Sequence, residues 1–248
     1  MIPDYTDSAI QVLNIAADVA KRITVSNIGT EHILAGLLMC DGTSRDILVN
    51  NGVDREKLLE LMEEFMGENS NTSVINYEEY TPRAKKIVEA SLREAKRLGF
   101  SAVGTEHLLL AVLKETDSIA FKMITDMERI GDQASDIADL SKFIEENHVQ
   151  IPELIGKMAE MTVGMVTESV DAFVKRDLDL CRKVIDDDDQ VDDAFNRIKE
   201  ELAELMYQNL DAKAGLDLLM TAKYMERIGD HAVNIAEWVE YAITGVHR

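Results

Sequence analysis

Four carboxylates near the C-terminus have the chemistry and spacing to hold a cation. Glu226 and Asp230 lie four residues apart in MERIGDHAVNIAE, and Asp188 and Asp192 repeat that spacing upstream in DDDDQVDD. Residues i and i+4 share a helix face, so each pair presents two oxygen donors to one side. Hard cations prefer such oxygens, and acids on facing helices are how helical bundles assemble their sites. A third pair, Glu128 and Asp132, has the same spacing in MERIGDQASDIAD, whose motif starts at Met127 and returns ninety-eight residues later at Met225. Asn234 and Glu237 fall near Glu226 and Asp230 on that helix, while Ile228, Ile235 and Val239 fall almost opposite. His231 and His247 follow no ligand spacing, beyond a helper role open to His231 beside Asp230.

Spacing alone is weak support. With 47 acids among 248 residues, chance supplies about nine acid pairs at i and i+4. A solvated face is the plain reading of the run from Asp186 to Asp189. Chance does not supply the recurrence of MERIGD with its trailing Ala, Ile and Ala at matching positions.

A second set of residues belongs to a different repeat. GTEHILAGLL from Gly29 and GTEHLLLAVL from Gly104 stand at an offset of 75, which also sets Tyr5-Thr6 on Tyr80-Thr81 and Ala20-Lys21-Arg22 on Ala95-Lys96-Arg97. This is an internal duplication. Gly29 and Gly104 end a loop, Thr30 and Thr105 are expected to cap the next helix, and Glu31 and Glu106 place an acid at its positive end. A well-made helix start accounts for each GTEH on spacing alone.

Little other chemistry is visible. Glu145 to His148 forms a single E-x-x-H, whereas a di-iron bundle needs two such motifs and partnering glutamates. No nucleophile elbow, zinc-protease, dinucleotide or GxxxxGK[ST] nucleotide-loop signature occurs, so no catalytic residue is expected.

These side chains must be carried by helices. Only three prolines occur, Pro3, Pro82 and Pro152, each where a helix can begin, and Thr81 is a fair N-cap ahead of Pro82. Apolar residues recur with helical spacing, as in Val191, Phe195, Ile198, Leu202 and Leu205. Good helix formers dominate and no strand-like alternation is sustained, so the expected fold class is all-α. Residues 5 to 65 read as short helices broken by turns such as Asp41-Gly42 and Asn51-Gly52, with a closing helix over GVDREKLLELMEEFMG. Residues 68 to 79 read as a linker. After Ile119 the helices lengthen, with breaks near Val149 to Pro152, Lys175 to Asp177 and Asn209 to Gly215, as an antiparallel bundle requires.

Composition bounds the function. A formal charge of -21 repels nucleic acid and anionic lipid and favours cations or basic partners. Cys40 and Cys181 read as buried residues of a reduced protein. Most methionines fill apolar helix faces. MIPDYTDSA lacks the features of a signal peptide, and the apolar run LLLAVL is too short to span a bilayer, so a cytoplasmic location is expected.

YTPRAKKIVEASLREAKRLGFSAVGTEHLLLAVL and its weaker copy from Tyr5 resemble the double repeat of the ClpC-type Clp repeat domain. The resemblance implies a compact set of short helices over residues 1–124, with the second repeat truncated. It implies partners among Clp adaptors and phosphoarginine-marked proteins, with Thr30, Glu31, Thr105 and Glu106 in two phosphoarginine pockets. A glutamate facing guanidinium and helix-start amides facing phosphate suit that ligand.

From Ile119 the order of features resembles the later helices of the PhoU phosphate-signalling family, giving a second expected domain over 119–248. That resemblance implies an antiparallel bundle carrying metal on Glu/Asp-x-x-x-Asp motifs, here Asp188 with Asp192, Glu226 with Asp230, and Glu128 with Asp132. Iron, manganese, magnesium and zinc are the candidate ions. The first two pairs serve one cluster, and the third needs acids from an earlier helix whose place the Clp-like repeats occupy. The implied partners are a phosphate transporter ATPase and its sensor kinase. The join falls inside a helix near Ser118 to Thr125.

Three readings follow: a non-enzymatic regulator of phosphate uptake and signalling with a Clp-type recognition module; an adaptor of the Clp protease system that binds phosphoarginine; or a chimeric product lacking the full function of either half. In the last, apolar faces without their usual partners promote a homodimer or aggregation.

Overall fold

The computed structural model describes residues 4–22, 27–50, 79–146 and 149–246, without the side chains of 4, 22, 49, 50 and 146. The Asn51-Gly52 turn, the expected closing helix, almost all of the expected linker, Pro3, His148 and His247 lie outside the described residues. The chain divides into two compact units, residues 1–125 and 126–248.

In the first unit a two-residue strand β1 (Asp4–Tyr5) leads to α1 (Asp7–Arg22), α2 (Thr30–Met39) and α3 (Thr43–Asn50). Then come α4 (Pro82–Arg97), a two-residue strand β2 (Ala102–Val103) and α5 (Thr105–Lys114). Helix α1 packs on α2 and α4 packs on α5, one pair from each repeat. The repeats interlock by exchanging backbone bonds. Thr6 N–H donates to Val103 O at 2.9 Å and Thr81 N–H donates to Ile28 O at 2.9 Å, each the other's equivalent at the offset of 75. Thus Tyr5 pairs in parallel with Val103, and Ile28 bridges to Tyr80. Leu13, Ile33, Leu34, Leu37, Ile87, Leu108 and Met123 are fully buried and form the core.

Helix starts follow ordinary capping chemistry. Thr81 Oγ1 accepts from Ala84 N at 3.2 Å with Pro82 in the first helical position, as its sequence predicts. Pro152 differs slightly, standing at the N-cap one residue ahead of its helix.

Helix α6 (Ile119–Glu146) runs without a break through residues 119 to 125 and is followed by α7 (Glu153–Lys175), α8 (Leu178–Tyr207) and α9 (Ala212–Thr244). Helices α7, α8 and α9 pack on one another. Two tight reversals impose antiparallel order. Arg176 takes a left-handed φ of 49° before the N-cap Asp177, and Asn209 takes φ 100° shortly before the N-cap Asp211. Gly215, expected in a break, lies inside α9. A Cβ there would meet Met206 Sδ at 2.7 Å, so the glycine permits close approach of the end of α8. Met158, Met165, Ile198, Leu202 and Leu218 are fully buried among these helices. From Asp126 onward α6 runs antiparallel to α9: Asp126 meets His231 and Asn234, and Phe143 meets Lys213.

Both cysteines are free and buried, and burial pushes each thiol up to about 11. No helix among the described residues is long and apolar enough to cross a membrane.

Candidate functional sites

In the first unit the two GTEH motifs have the same construction. Gly29 and Gly104, in extended conformation, are the N-caps of α2 and α5, so Thr30 and Thr105 occupy the first helical position rather than the cap. The capping interaction comes from histidine. His32 Nδ1 accepts from Gly29 N–H at 2.7 Å and His107 Nδ1 accepts from Gly104 N–H at 2.9 Å. With its lone pair used in this way Nδ1 is unprotonated, so the nearby Glu31 and Glu106 carboxylates, at 3.4 and 3.2 Å, make no ion pair with it. His107 is fully buried, its Nε2 has no hydrogen-bond partner among the described residues, and the Phe100 ring lies edge-on at 4.8 Å.

Glu31 and Glu106 fold back over the preceding glycines. A Cβ on Gly29 would lie 2.1 Å from Glu31 Oε1, and one on Gly104 would lie 2.3 Å from Glu106 Oε1. The carboxylate takes the space that a side chain on the glycine would fill. The threonines face the opposite repeat: Thr30 Oγ1 accepts from Ala120 N–H at 3.4 Å, and a Cβ on Gly42 would lie 3.1 Å from Thr105 Oγ1. Glu31 is nearly buried and Glu106 is half-buried, so the second carboxylate is the more accessible. Each motif therefore sets a carboxylate at a helix start, where the local potential favours anions and the carboxylate can meet a cation.

In the second unit the structure brings Asp188, Asp192, Glu226 and Asp230 within electrostatic reach of one another across α8 and α9. Asp188 is pushed up to about 6, first by burial and then by the charges of Asp192, Asp230, Asp189 and Glu226. Asp230 is also raised, by burial and then by Glu226 and Asp192, with Lys223 and His231 acting the other way. Gly229 of α9 faces Asp188 directly, since a Cβ built there would lie in ordinary contact, 3.4 Å from Asp188 Oδ1. Ile228, Ile235 and Val239 are buried on the other side of α9.

The oxygen donors suit a hard divalent or ferric cation, and their mutual repulsion is what a bound cation would relieve. Among the described residues no three His, Cys, Asp or Glu side chains stand close enough together to hold a metal ion as they are placed. Glu226 is engaged by the Lys223 ammonium. Asp192 and Asp230 are exposed.

The remaining pair is placed differently. Glu128 and Asp132 are exposed on α6, and neither is among the charges acting on Asp188 or Asp230. His231 Nδ1 lies 3.0 Å from Asp126 Oδ1, to which Asn234 also donates at 3.2 Å, while His231 also acts electrostatically on Asp230. Asp126, His32, His107 and Lys223 are residues that motif reading missed. Lys223, three residues ahead of Glu226, was legible as a helix-neighbour pair. The partnership of Asp126 with His231 spans 105 residues and leaves no local trace.

Comparison with known proteins covers both halves. The profile of the Clp repeat (R) N-terminal domain matches residues 4–127, and that of the PhoU domain matches residues 155–239. The chain is 30% identical over 198 residues, 74% of its length, to the chaperone protein ClpB of Oceanobacillus iheyensis, of which it covers 24%. It is 38% identical over 128 residues, 51% of its length, to the negative regulator of genetic competence ClpC/MecB of Bacillus subtilis, of which it covers 16%. It is 33% identical over 196 residues, 79% of its length, to the ATP-dependent Clp protease ATP-binding subunit ClpC of Staphylococcus epidermidis, of which it covers 22%. The chain thus spans a quarter or less of these relatives. Among solved structures, the phosphate transport system regulatory protein PhoU of Streptococcus pneumoniae is similar with a TM-score of 0.50 at 16% identity, over 97% of this chain and 91% of that one, a likeness of fold. PhoU from Pseudomonas aeruginosa is similar with a TM-score of 0.49 at 23% identity, over 97% of each chain.

Proposed function

From a chain that belongs to the Clp repeat N-terminal domain family over residues 4–127 and carries a PhoU domain over residues 155–239, we propose a non-enzymatic regulator of phosphate uptake and signalling. Its PhoU-like bundle binds metal, and its Clp-type module recognises protein. The observation that carries the reading is the approach of Asp188, Asp192, Glu226 and Asp230 across α8 and α9, with Asp188 raised to about 6 first by burial and then by these neighbouring charges. Asp188 and Asp192 supply oxygens from α8, and Glu226 and Asp230 supply them from α9. A bound iron, manganese, magnesium or zinc ion would neutralise this face and clamp the two helices. Glu128 and Asp132 are a further donor pair on α6, for which a second bundle or a second copy of the chain would supply the facing acids. The proposed partners are a phosphate transporter ATPase and its sensor kinase, and the proposed location is the cytoplasm.

Metal content tests this. Protein purified from metal-supplemented medium is expected to carry one or more of these ions, with the content falling sharply in Asp192→Ala and Asp230→Ala. A metal-free parent, or equal content in parent and variants, would sink the proposal.

The GTEH geometry favours a second reading, in which the first unit receives phosphoarginine as an adaptor module of the Clp protease system. Glu31 and Glu106 would face the guanidinium group, while helix-start amides, beside Thr30 and Thr105, would face the phosphate. Phosphoarginine titrated into the parent is expected to saturate, and binding is expected to vanish when Glu31→Ala is combined with Glu106→Ala. Linear, non-saturating titration would rule out this reading.

A further inference from the structure

The two MERIGD motifs share their acids but differ just before them. Lys223 stands three residues ahead of Glu226, where the first copy has Thr125 ahead of Glu128. The Lys223 ammonium is bonded to Glu226 Oε2 and is also held over the Phe195 ring of α8 at 5.1 Å, so it is anchored from both helices that supply the acids. Its charge also acts on Asp230, opposing the repulsion from Glu226 and Asp192. Thr125 spends its hydroxyl on the Phe121 carbonyl at 3.0 Å, and being uncharged it cannot perform this role for Glu128. The Glu226 side chain is only 15% exposed, so removing the ammonium would leave a mostly buried carboxylate among like charges.

Resting on the metal-binding reading of the same acids, we propose that Lys223 is a tethered internal cation that occupies the Glu226 and Asp230 end of the site and must swing away before a metal ion can use Glu226. The lysine stabilises the metal-free bundle and sets a threshold concentration for loading. Its stem leaves room to move, because the side chain is 35% exposed and the aromatic contact is of a kind easily exchanged for water. Among the other basic groups near the acidic face, Lys183 is committed to Glu168 and Asp187, and His231 to Asp126. Neither substitutes for the lysine at Glu226.

The test compares full-length parent, Lys223→Met, Lys223→Arg and Asp192→Ala in titrations with Mn²⁺ alone, followed by the paramagnetic signal of the free ion at fixed ionic strength. Met keeps the aliphatic stem and removes the charge. Lys223→Met is expected to bind Mn²⁺ about three- to fivefold more tightly, the scale of one partly screened ion pair. Lys223→Arg should stay at or below parental affinity. Stripped of metal, Lys223→Met should melt below the parent and gain more from added Mn²⁺. If parental binding is lost in Asp192→Ala but unchanged or weakened in Lys223→Met, the competitor role is overturned and the metal reading stands. If neither parent nor Lys223→Met binds Mn²⁺, both fall together.

Discussion

Asp126 Oδ1 accepts from both His231 Nδ1, at 3.0 Å, and Asn234 Nδ2, at 3.2 Å, which ties α6 to the middle of α9. Asp126 is only 6% exposed, so its removal strands two polar partners with little access to water. Asp126→Ala is therefore expected to cost about 1–3 kcal/mol. Chemical denaturation followed by helical circular dichroism checks this, and an unchanged midpoint would show the contact to be energetically idle.

Asp188 gives a pH signature. Its carboxyl is raised from an ordinary 3.8 to about 6, so the folded protein holds this proton more tightly than the unfolded chain does. The contribution of this group to stability therefore falls as pH rises from 3.8 through about 6, and the penalty is complete above that range. In metal-free protein Asp188→Asn is expected to be more stable than the parent by about 1–2 kcal/mol near neutrality after allowance for solvent screening, with the gap closing toward acid. Denaturation midpoints across that range measure it, and parallel pH profiles would refute it.

Gly29 and Gly104 leave the space their glutamates occupy. In Gly29→Ala and Gly104→Ala the new methyl displaces the tip of a flexible side chain rather than backbone, so the fold should survive with a loss below about 1 kcal/mol. Phosphoarginine affinity should nonetheless drop, because Glu31 or Glu106 is turned out of place. A melting curve paired with the titration separates these effects. Normal binding with a displaced glutamate would show that the carboxylate has no part in recognition.

Gly36 predicts the opposite balance. Alanine is the better helix former by about 1 kcal/mol, yet a Cβ at this position would meet the Val12 carbonyl oxygen at 2.3 Å, where α1 and α2 cross. Since rigid backbone cannot step aside, Gly36→Ala should destabilise the first unit by about 2–3 kcal/mol. The second repeat carries Ala111 at the equivalent position and has no such constraint. Urea unfolding of the variant decides the sign.

What could be seen in the sequence was what depends on neighbours along the chain. Thr81 before Pro82 announced its helix, the spacing of Ile228, Ile235 and Val239 announced a buried face, and the offset of 75 announced paired repeats. Contacts made through space were not visible. A histidine three residues inside a helix gives no sign that it caps the preceding glycine, and Gly215 looks like a turn until Met206 is seen against it. The acidic pairs were legible as pairs. That Lys223 already engages one of them becomes clear only with Phe195 of the neighbouring helix in view.

The two sealed thiols have a practical consequence. Cys40 and Cys181 are the only cysteines in the chain, and burial holds each far from its reactive thiolate at neutral pH. Cysteines introduced on the surface, one on α8 and one on α9, will then take spin labels or fluorophores alone, without deletion of the native pair. Distance spectroscopy between α8 and α9 can therefore be carried out on the otherwise natural protein.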